Sequence, residues 1–342
     1  MNIQKYPTMK VKSLFTCLAA ILLTVVTAAS CDNYLGIDDD LDDCGYNYNI
    51  TYRLNLITNM DEEIDYVLYA PADAYVKEAL RTEWGKIFRE YGNDLNLSFY
   101  HGAQSDRAFE ETHQMNAREA SYTIYLEEKT YRNLAIANVG QDPAVESDNM
   151  DNATTATLQT AGGEAMQSHT AGIFTGRADL NATAQDNDFL VNLYIANSAA
   201  AIVVDTAGYE VKDIRIAIDD MADSFNANDS TYNHTARKYV VGKQLAVDNP
   251  DNKRVCLYGV CFPSPDRMLG SSELWHMRVY VTLANGSVTE NVLSIHTPLK
   301  AGFTKILKSN ITENGVLEMV DTQVGVSFTL DWKEGGSYNP GL

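Results

Sequence analysis

The 342-residue chain carries five cysteines, six histidines and 46 carboxylates, the side chains best able to do chemistry. The histidines are dispersed, and no His-Glu-x-x-His pair brings two imidazoles onto one helix face. His101 and His113 flank Glu110 and Glu111, but their spacing is not that of metal ligands on a helix, so no metal site is expected. There is no Gly-x-Ser-x-Gly elbow, phosphate-binding glycine loop or dinucleotide fingerprint. Carboxylates are so numerous that some pair always looks like a glycosidase dyad, and nothing singles one out. The expectation is a protein that is not an enzyme, with no catalytic residues. One thiol stands in a telling place. Cys31 directly follows Ala28-Ala29-Ser30 at the end of an apolar stretch.

That stretch begins with Lys5, Lys10 and Lys12 and continues as apolar and small residues from Leu14 to Ala29. It is long enough to engage a translocon and short for a stable membrane span. Cys31 after three small residues resembles the lipobox of bacterial lipoproteins, although Ala28 stands where Leu or Val is more usual. The resemblance implies a diacylglycerol on the thiol, cleavage before Cys31 and an N-acyl chain, with no other cofactor. Acyl chains contribute roughly 0.8 kcal/mol per buried CH₂, so two or three of them hold a protein firmly to a bilayer. An ordinary secretory signal with a chance cysteine is the alternative. Residues 1–30 are therefore read as a lipoprotein signal peptide that takes Cys17 with it. Cys44, Cys256 and Cys261 remain, enough for one disulfide at most, and the sequence does not choose the pair.

Six aspartates lie between Asp32 and Asp43. A calcium loop starting at Asp38 would need Gly where Asp43 stands and Glu where Asn49 stands, so residues 31–45 are read as a solvated acidic tether. An acidic run just after a lipidated cysteine also resembles the surface-export signal of Bacteroidota lipoproteins. Losing residues 1–30 removes three lysines and no acid, taking the formal charge from −20 to −23. Such a surface repels phosphate backbones, so no nucleic-acid partner is expected. Aliphatic and aromatic residues are plentiful enough for folded cores, and the length suits two domains.

The positioning elements read mostly as strands. Tyr46–Leu56 interleaves apolar and polar residues, and Asp61–Tyr69 is read with the strands because it ends in Tyr66-Val67-Leu68-Tyr69. Period-two faces are formed by Tyr122, Ile124 and Leu126, by Val191, Leu193 and Ile195, and by Ile214, Ile216 and Ile218. Met277, Val279, Val281 and Leu283 form another, followed by the hairpin turn Asn285-Gly286. One helix is expected, with Val76, Leu80, Trp84, Ile87, Phe88 and Tyr91 on its apolar face, Asp73 as its cap and Gly92 at its end. Gln141–Thr170 reads as a long polar loop, with further loops at Asn226–Thr235 and Asp248–Lys253. The domain boundary is expected near Asp179–Asp188, giving an N-terminal domain over 46–183 and a C-terminal domain over 184–342. The last strand is the clearest. Val324, Val326, Phe328, Leu330 and Trp332 alternate with small or polar residues.

Several blocks resemble the FimB-like fimbrial anchor family of Bacteroidales, the lipoprotein subunits of type V pili. They are "ASYTIYLEEKTYRNLAIANV" (Ala120–Val139), "LYIANSAAAIVVD" (Leu193–Asp205), "DSTYN" (Asp229–Asn233), "VCLYGVCFPS" (Val255–Ser264), "GSVTENVLSIHTPLKAGFTKIL" (Gly286–Leu307) and "VGVSFTLDWKEGG" (Val324–Gly336). The resemblance implies an all-β fold of two tandem transthyretin-like β-sandwich domains, with the helix inserted in the first. It also implies a structural role at the base of a fibre on the outer surface of the outer membrane. The partner would be a fimbrial stalk subunit joined by β-strand complementation, a mode in which an added strand satisfies an open sheet edge. Val324, Val326, Phe328, Leu330 and Trp332 are the assembly candidates, either closing their own sheet or complementing a neighbour. A surface adhesin binding a glycan, a host protein or a bacterial ligand, with aromatics exposed in loops, is the competing reading.

Overall fold

The computed structural model describes residues 46–89, 94–101, 107–113, 121–140, 142–182, 188–235, 238–247, 253–266, 273–320 and 326–329. The strands begin with β1 (Tyr46–Asn55), β2 (Leu95–His101), β3 (Arg107–His113), β4 (Ser121–Leu126), β5 (Thr130–Ala137) and β6 (Val145–Asp148). Next come β7 (Thr157–Thr160), β8 (Ala165–Gln167), β9 (Phe174–Asn181), β10 (Asp188–Ile195), β11 (Ser198–Asp205) and β12 (Val211–Asp219). Short strands follow as β13 (Ser224–Asn226), β14 (Thr231–Asn233), β15 (Tyr239–Val241) and β16 (Lys243–Gln244). The last are β17 (Arg254–Cys261), β18 (Trp275–Leu283), β19 (Val288–Ile295), β20 (Thr304–Ile311), β21 (Leu317–Met319) and β22 (Val326–Thr329). Helices α1 (Met60–Val67) and α2 (Ala74–Arg89) lie between β1 and β2.

Among the described residues these strands form four sheets. The first runs β3-β2-β5-β9-β10-β1-β4 and the second β16-β17-β11-β20-β21. The third runs β22-β19-β18-β12-β15-β8 and the fourth β14-β13-β7-β6. The chain is thus mainly β and built of packed sheets, as expected.

Burial explains the layering. β11 is an unbroken run of small and β-branched residues, a composition suited to a strand covered on both faces. Its Ala200, Ile202 and Val204 meet Ile214, Ile216 and Ile218 of β12 and Met277, Val279 and Val281 of β18. Sheets two and three therefore close a sandwich around the period-two faces seen in the sequence. The opposite face of β11, with Ala199, Ala201 and Val203, joins a core that also contains Trp84 and Phe88 of α2 and Tyr48, Ile50 and Tyr52 of β1. A third, smaller core lies between Tyr100, Leu134 and Ile136 of the first sheet and Leu158, Phe225 and Phe262.

Several expectations change, among them the loop expected at Asn226–Thr235, which contains β14. Asp61–Tyr69 is not strand-like: Met60–Val67 is a helix, with Met60, Ile64 and Val67 buried at helical spacing and Asp61, Glu62 and Glu63 favourably placed in its first turn. The apolar cluster at its end mimicked a strand only because it was read without the residues before it. The stretch 141–170 is not simply a loop. It supplies β6, β7 and β8: β6 pairs with β7, while β7 and β8 pair with β13 and β15 from later in the chain. Polar composition hid these strands, because their partners rather than their own periodicity define them.

The boundary expected near Asp179–Asp188 does not separate the sheets. β10 lies within the first sheet, parallel to β1 in the register Asn49↔Asp188 to Asn55↔Tyr194. The two helices, although early in the chain, pack on the second sheet. Asp73, expected to cap α2, sits in the turn Pro71–Asp73 and turns its carboxylate to Lys308 and Arg254.

Candidate functional site

Among the described residues, β22 forms one margin of the third sheet. It pairs antiparallel with β19 in the register Ile295↔Val326, Ser294↔Ser327, Leu293↔Phe328 and Val292↔Thr329. Val326 is half-buried against the sandwich core. Two of the five assembly candidates are thus placed on a sheet edge of their own chain; Val324, Leu330, Trp332 and Cys31 lie outside the described residues. The partner strand β19 is positioned by the β18–β19 hairpin, whose turn carries Gly286 at φ 85° and an Asn285 side chain accepting from the Ser287 amide at 2.9 Å.

Beside this edge, β12, β18 and β19 carry a charged network. Arg278 forks onto Asp219 with two bonds of 2.6 Å and lies 5.0 Å from the centre of the Tyr239 ring. It also donates to the Tyr280 hydroxyl at 2.9 Å, which passes a bond to Glu290 at 3.0 Å. Burial pushes the Asp219 carboxyl up, opposed by Arg278. His276 lies between Asp220 at 2.8 Å and Glu273 at 3.2 Å, and bonding to Asp220 foremost lifts its pKa to about 9. Both ring nitrogens are held by carboxylates, so this imidazolium is a fixed charge and not an available base.

A second polar centre is wholly buried. His169 Nε2 lies 3.0 Å from Thr160 Oγ1, and Nδ1 lies 3.3 Å from Asn197 Nδ2. The Asn197 amide also donates to the Ala171 carbonyl, while its oxygen accepts from the Ile173 amide, which fixes its orientation. Nδ1 therefore accepts, and the ring proton sits on Nε2 facing Thr160. Burial lowers the His169 pKa to about 4, so the ring is neutral at physiological pH.

The remaining candidates from the sequence resolve simply. His101 stacks on Tyr131 at 5.5 Å, while His113 pairs with Leu95 at the other end of the β2–β3 hairpin. Among the described residues no group of three or more His, Cys, Asp or Glu side chains could hold a metal ion. Cys256 and Cys261 are both free and buried, and burial pushes each thiol up to about 12. They sit five residues apart on β17, about 16 Å along a strand, too far to bridge. Cys44 lies outside the described residues.

Sequence reasoning missed the surface around the helices. Tyr66, Tyr69 and Tyr75 are 80%, 68% and 56% exposed at the α1–α2 connection. Of the three, Tyr75 lines an open groove of about 780 Å³ that runs between α2 and β16, together with Glu78, Glu83, Lys86, Gln244 and Tyr258. The Tyr258 hydroxyl donates to Glu83 at 2.7 Å. Only the number of tyrosines hinted at this site, because strand-like surroundings gave no sign of which rings face water.

Neither a known protein family nor a curated protein matches the chain. Solved structures do. A candidate polysaccharide-binding protein of Bacteroides thetaiotaomicron aligns at a TM-score of 0.50 and 9% identity, over 83% of this chain and 98% of that one. A candidate adhesin of Bacteroides ovatus aligns at 0.50 and 8% identity, over 84% and 96%. The fimbrial anchor protein Mfa2 of Porphyromonas gingivalis aligns at 0.42 and 12% identity, over 71% and 80%. At such identities the first two likenesses define a shared fold, the multi-sheet β architecture found in these Bacteroides proteins.

Proposed function

We propose that this chain is a FimB-like, lipid-anchored subunit of a cell-surface fimbria, and specifically the base anchor that tethers the fibre to the outer membrane through Cys31. The observation that carries this reading is the placement of Cys31, behind a lipobox-like Ala28-Ala29-Ser30 and 15 residues ahead of β1 at Tyr46. Fifteen residues reach about 50 Å when extended, enough to hold the sheets clear of the bilayer. The edge strand β22 supports assembly, since a stalk subunit can add a strand beside it. The shared fold with a Bacteroides adhesin is compatible with the same setting. On this reading the protein is structural and takes no cofactor beyond the lipid.

The test is Cys31→Ala in the native organism, with cell-attached and shed fibre measured by electron microscopy and blotting. Shed fibre supports the anchor. Unchanged fibre with release of this protein alone overturns it.

A second reading is favoured by Tyr75, an exposed ring that lines the α2–β16 groove. An exposed ring with nearby carboxylates and an amide suits a sugar, and one protein of the same fold is a candidate polysaccharide binder. A glycan array on the intact protein decides it: binding lost in Tyr75→Ala supports a surface binder, and a blank array removes it.

A further inference from the structure

One edge of the second sheet is closed by side chains instead of a strand. β20 pairs in parallel with β11 along Thr304–Asn310, but on its other side β21 reaches only Ser309–Ile311. Thr304–Lys308 would otherwise present open backbone groups to any passing strand.

The start of α1 takes them. The Asn59 side chain behaves as a peptide unit: Oδ1 accepts from the Thr304 amide at 2.9 Å and Nδ2 donates to the Thr304 carbonyl at 3.0 Å. Two residues on, Glu63 Oε1 accepts from the Ile306 amide at 3.0 Å. Before them the Thr58 amide donates to the Gly302 carbonyl, and after them the Val320 amide donates to the Lys308 carbonyl at 3.1 Å. The groups satisfied alternate along β20 as they would under an added strand.

We propose that the Thr304–Lys308 edge of β20 is a latent strand-acceptor site, held shut by Asn59 and Glu63 of the α1 segment, and that its occupant is an extended acidic strand of a partner protein. α1 has eight residues, too few for helicity alone to hold it, so the cover depends on its contacts. A shift of about 5 Å, the spacing between neighbouring strands, admits an added one. Charge selects the occupant. Lys305 lies 3.7 Å from Glu63, and opening the cover removes that carboxylate. A strand with an acid facing Lys305 replaces it, whereas a second copy of this edge sets lysines against lysines. The site is separate from β22 and does not require the anchor reading.

The test is amide hydrogen exchange on the intact chain, comparing wild type with Asn59→Ala/Glu63→Ala and with Glu63→Gln. The probes are two synthetic extended peptides of alternating Val and Thr, one with a central Glu and one with Lys. The double variant should exchange the Thr304 and Ile306 amides roughly tenfold faster or more. The Glu peptide should restore their protection and the Lys peptide should restore less, while Glu63→Gln stays closed. Unchanged exchange in the double variant, or fast exchange that the Glu peptide does not slow, overturns the proposal. Concentration-dependent dimers protecting the same amides overturn the acidic occupant in favour of a second copy. If circular dichroism finds the double variant unfolded, Asn59→Ala alone is judged by the same readouts.

Discussion

Asp73 and Lys308 are separated by 235 residues of sequence and by 2.6 Å in the fold, carboxylate Oδ2 against ammonium Nζ. Asp73 is fully buried, and Arg254 Nη1 stands 3.0 Å from its other oxygen while Nη2 reaches Asp205 at 3.1 Å. The cluster ties the turn ahead of α2 to β20, β17 and β11. Taking such charges out of water costs nearly what their attraction returns, so the cluster fixes where the helices sit more than it adds net stability.

Asp73→Ala leaves two cations facing a dry site. A loss of about 3–5 kcal/mol is expected in chemical denaturation. Asp73→Leu with Lys308→Met should recover part of it, since Arg254 keeps Asp205. A loss below about 1 kcal/mol would mean that water already reaches the cluster.

His169 makes the fold acid-sensitive. Its pKa is about 4 when folded against an ordinary 6.5, so between those values the unfolded chain binds more protons. Stability therefore falls as pH drops from 6.5 to 4, by up to about 3 kcal/mol from this group. Denaturation midpoints of wild type and His169→Gln should converge in their pH slopes outside that window and differ inside it. Parallel slopes throughout would refute the neutral ring.

His276 acts with the opposite sign. Its folded pKa of about 9 exceeds the unfolded 6.5, so its contribution is complete below 6.5 and is lost as pH rises through 9. His276→Gln should flatten the alkaline decline between those values. Together the two histidines place the best stability near pH 6.5.

Cys256 and Cys261 should not react with a water-soluble disulfide reagent until the protein unfolds, because burial holds both thiols protonated. With the other cysteines replaced by serine, two equivalents on adding denaturant, and none before, is the expected titration. Fast reaction in the native state would contradict their burial.

Much of the strand content was legible in the sequence. Val191, Leu193 and Ile195, Ile214, Ile216 and Ile218, and Met277, Val279, Val281 and Leu283 are all buried on their expected faces, because a period of two is local information. The same holds for α2, where Val76, Leu80, Trp84, Ile87 and Phe88 are buried at helical spacing. α1 was misread because eight residues give barely two turns of pattern. β6 to β8 were missed because each has only three or four residues, and β7 and β8 borrow their definition from the distant strands β13 and β15.

What the sequence determined by itself is therefore the set of elements with strong internal period, the Asn285-Gly286 turn, the absence of recognisable catalytic motifs and the setting of Cys31. Tertiary structure alone decided that β10 belongs with β1, that α1 and α2 cover the second sheet, and that Asn59 and Glu63 close the edge of β20. Side-chain periodicity reports which face of an element is apolar. It carries no record of which distant element covers that face, since that choice is set by loop reach, register and a few buried charges such as Asp73, Arg254 and Lys308.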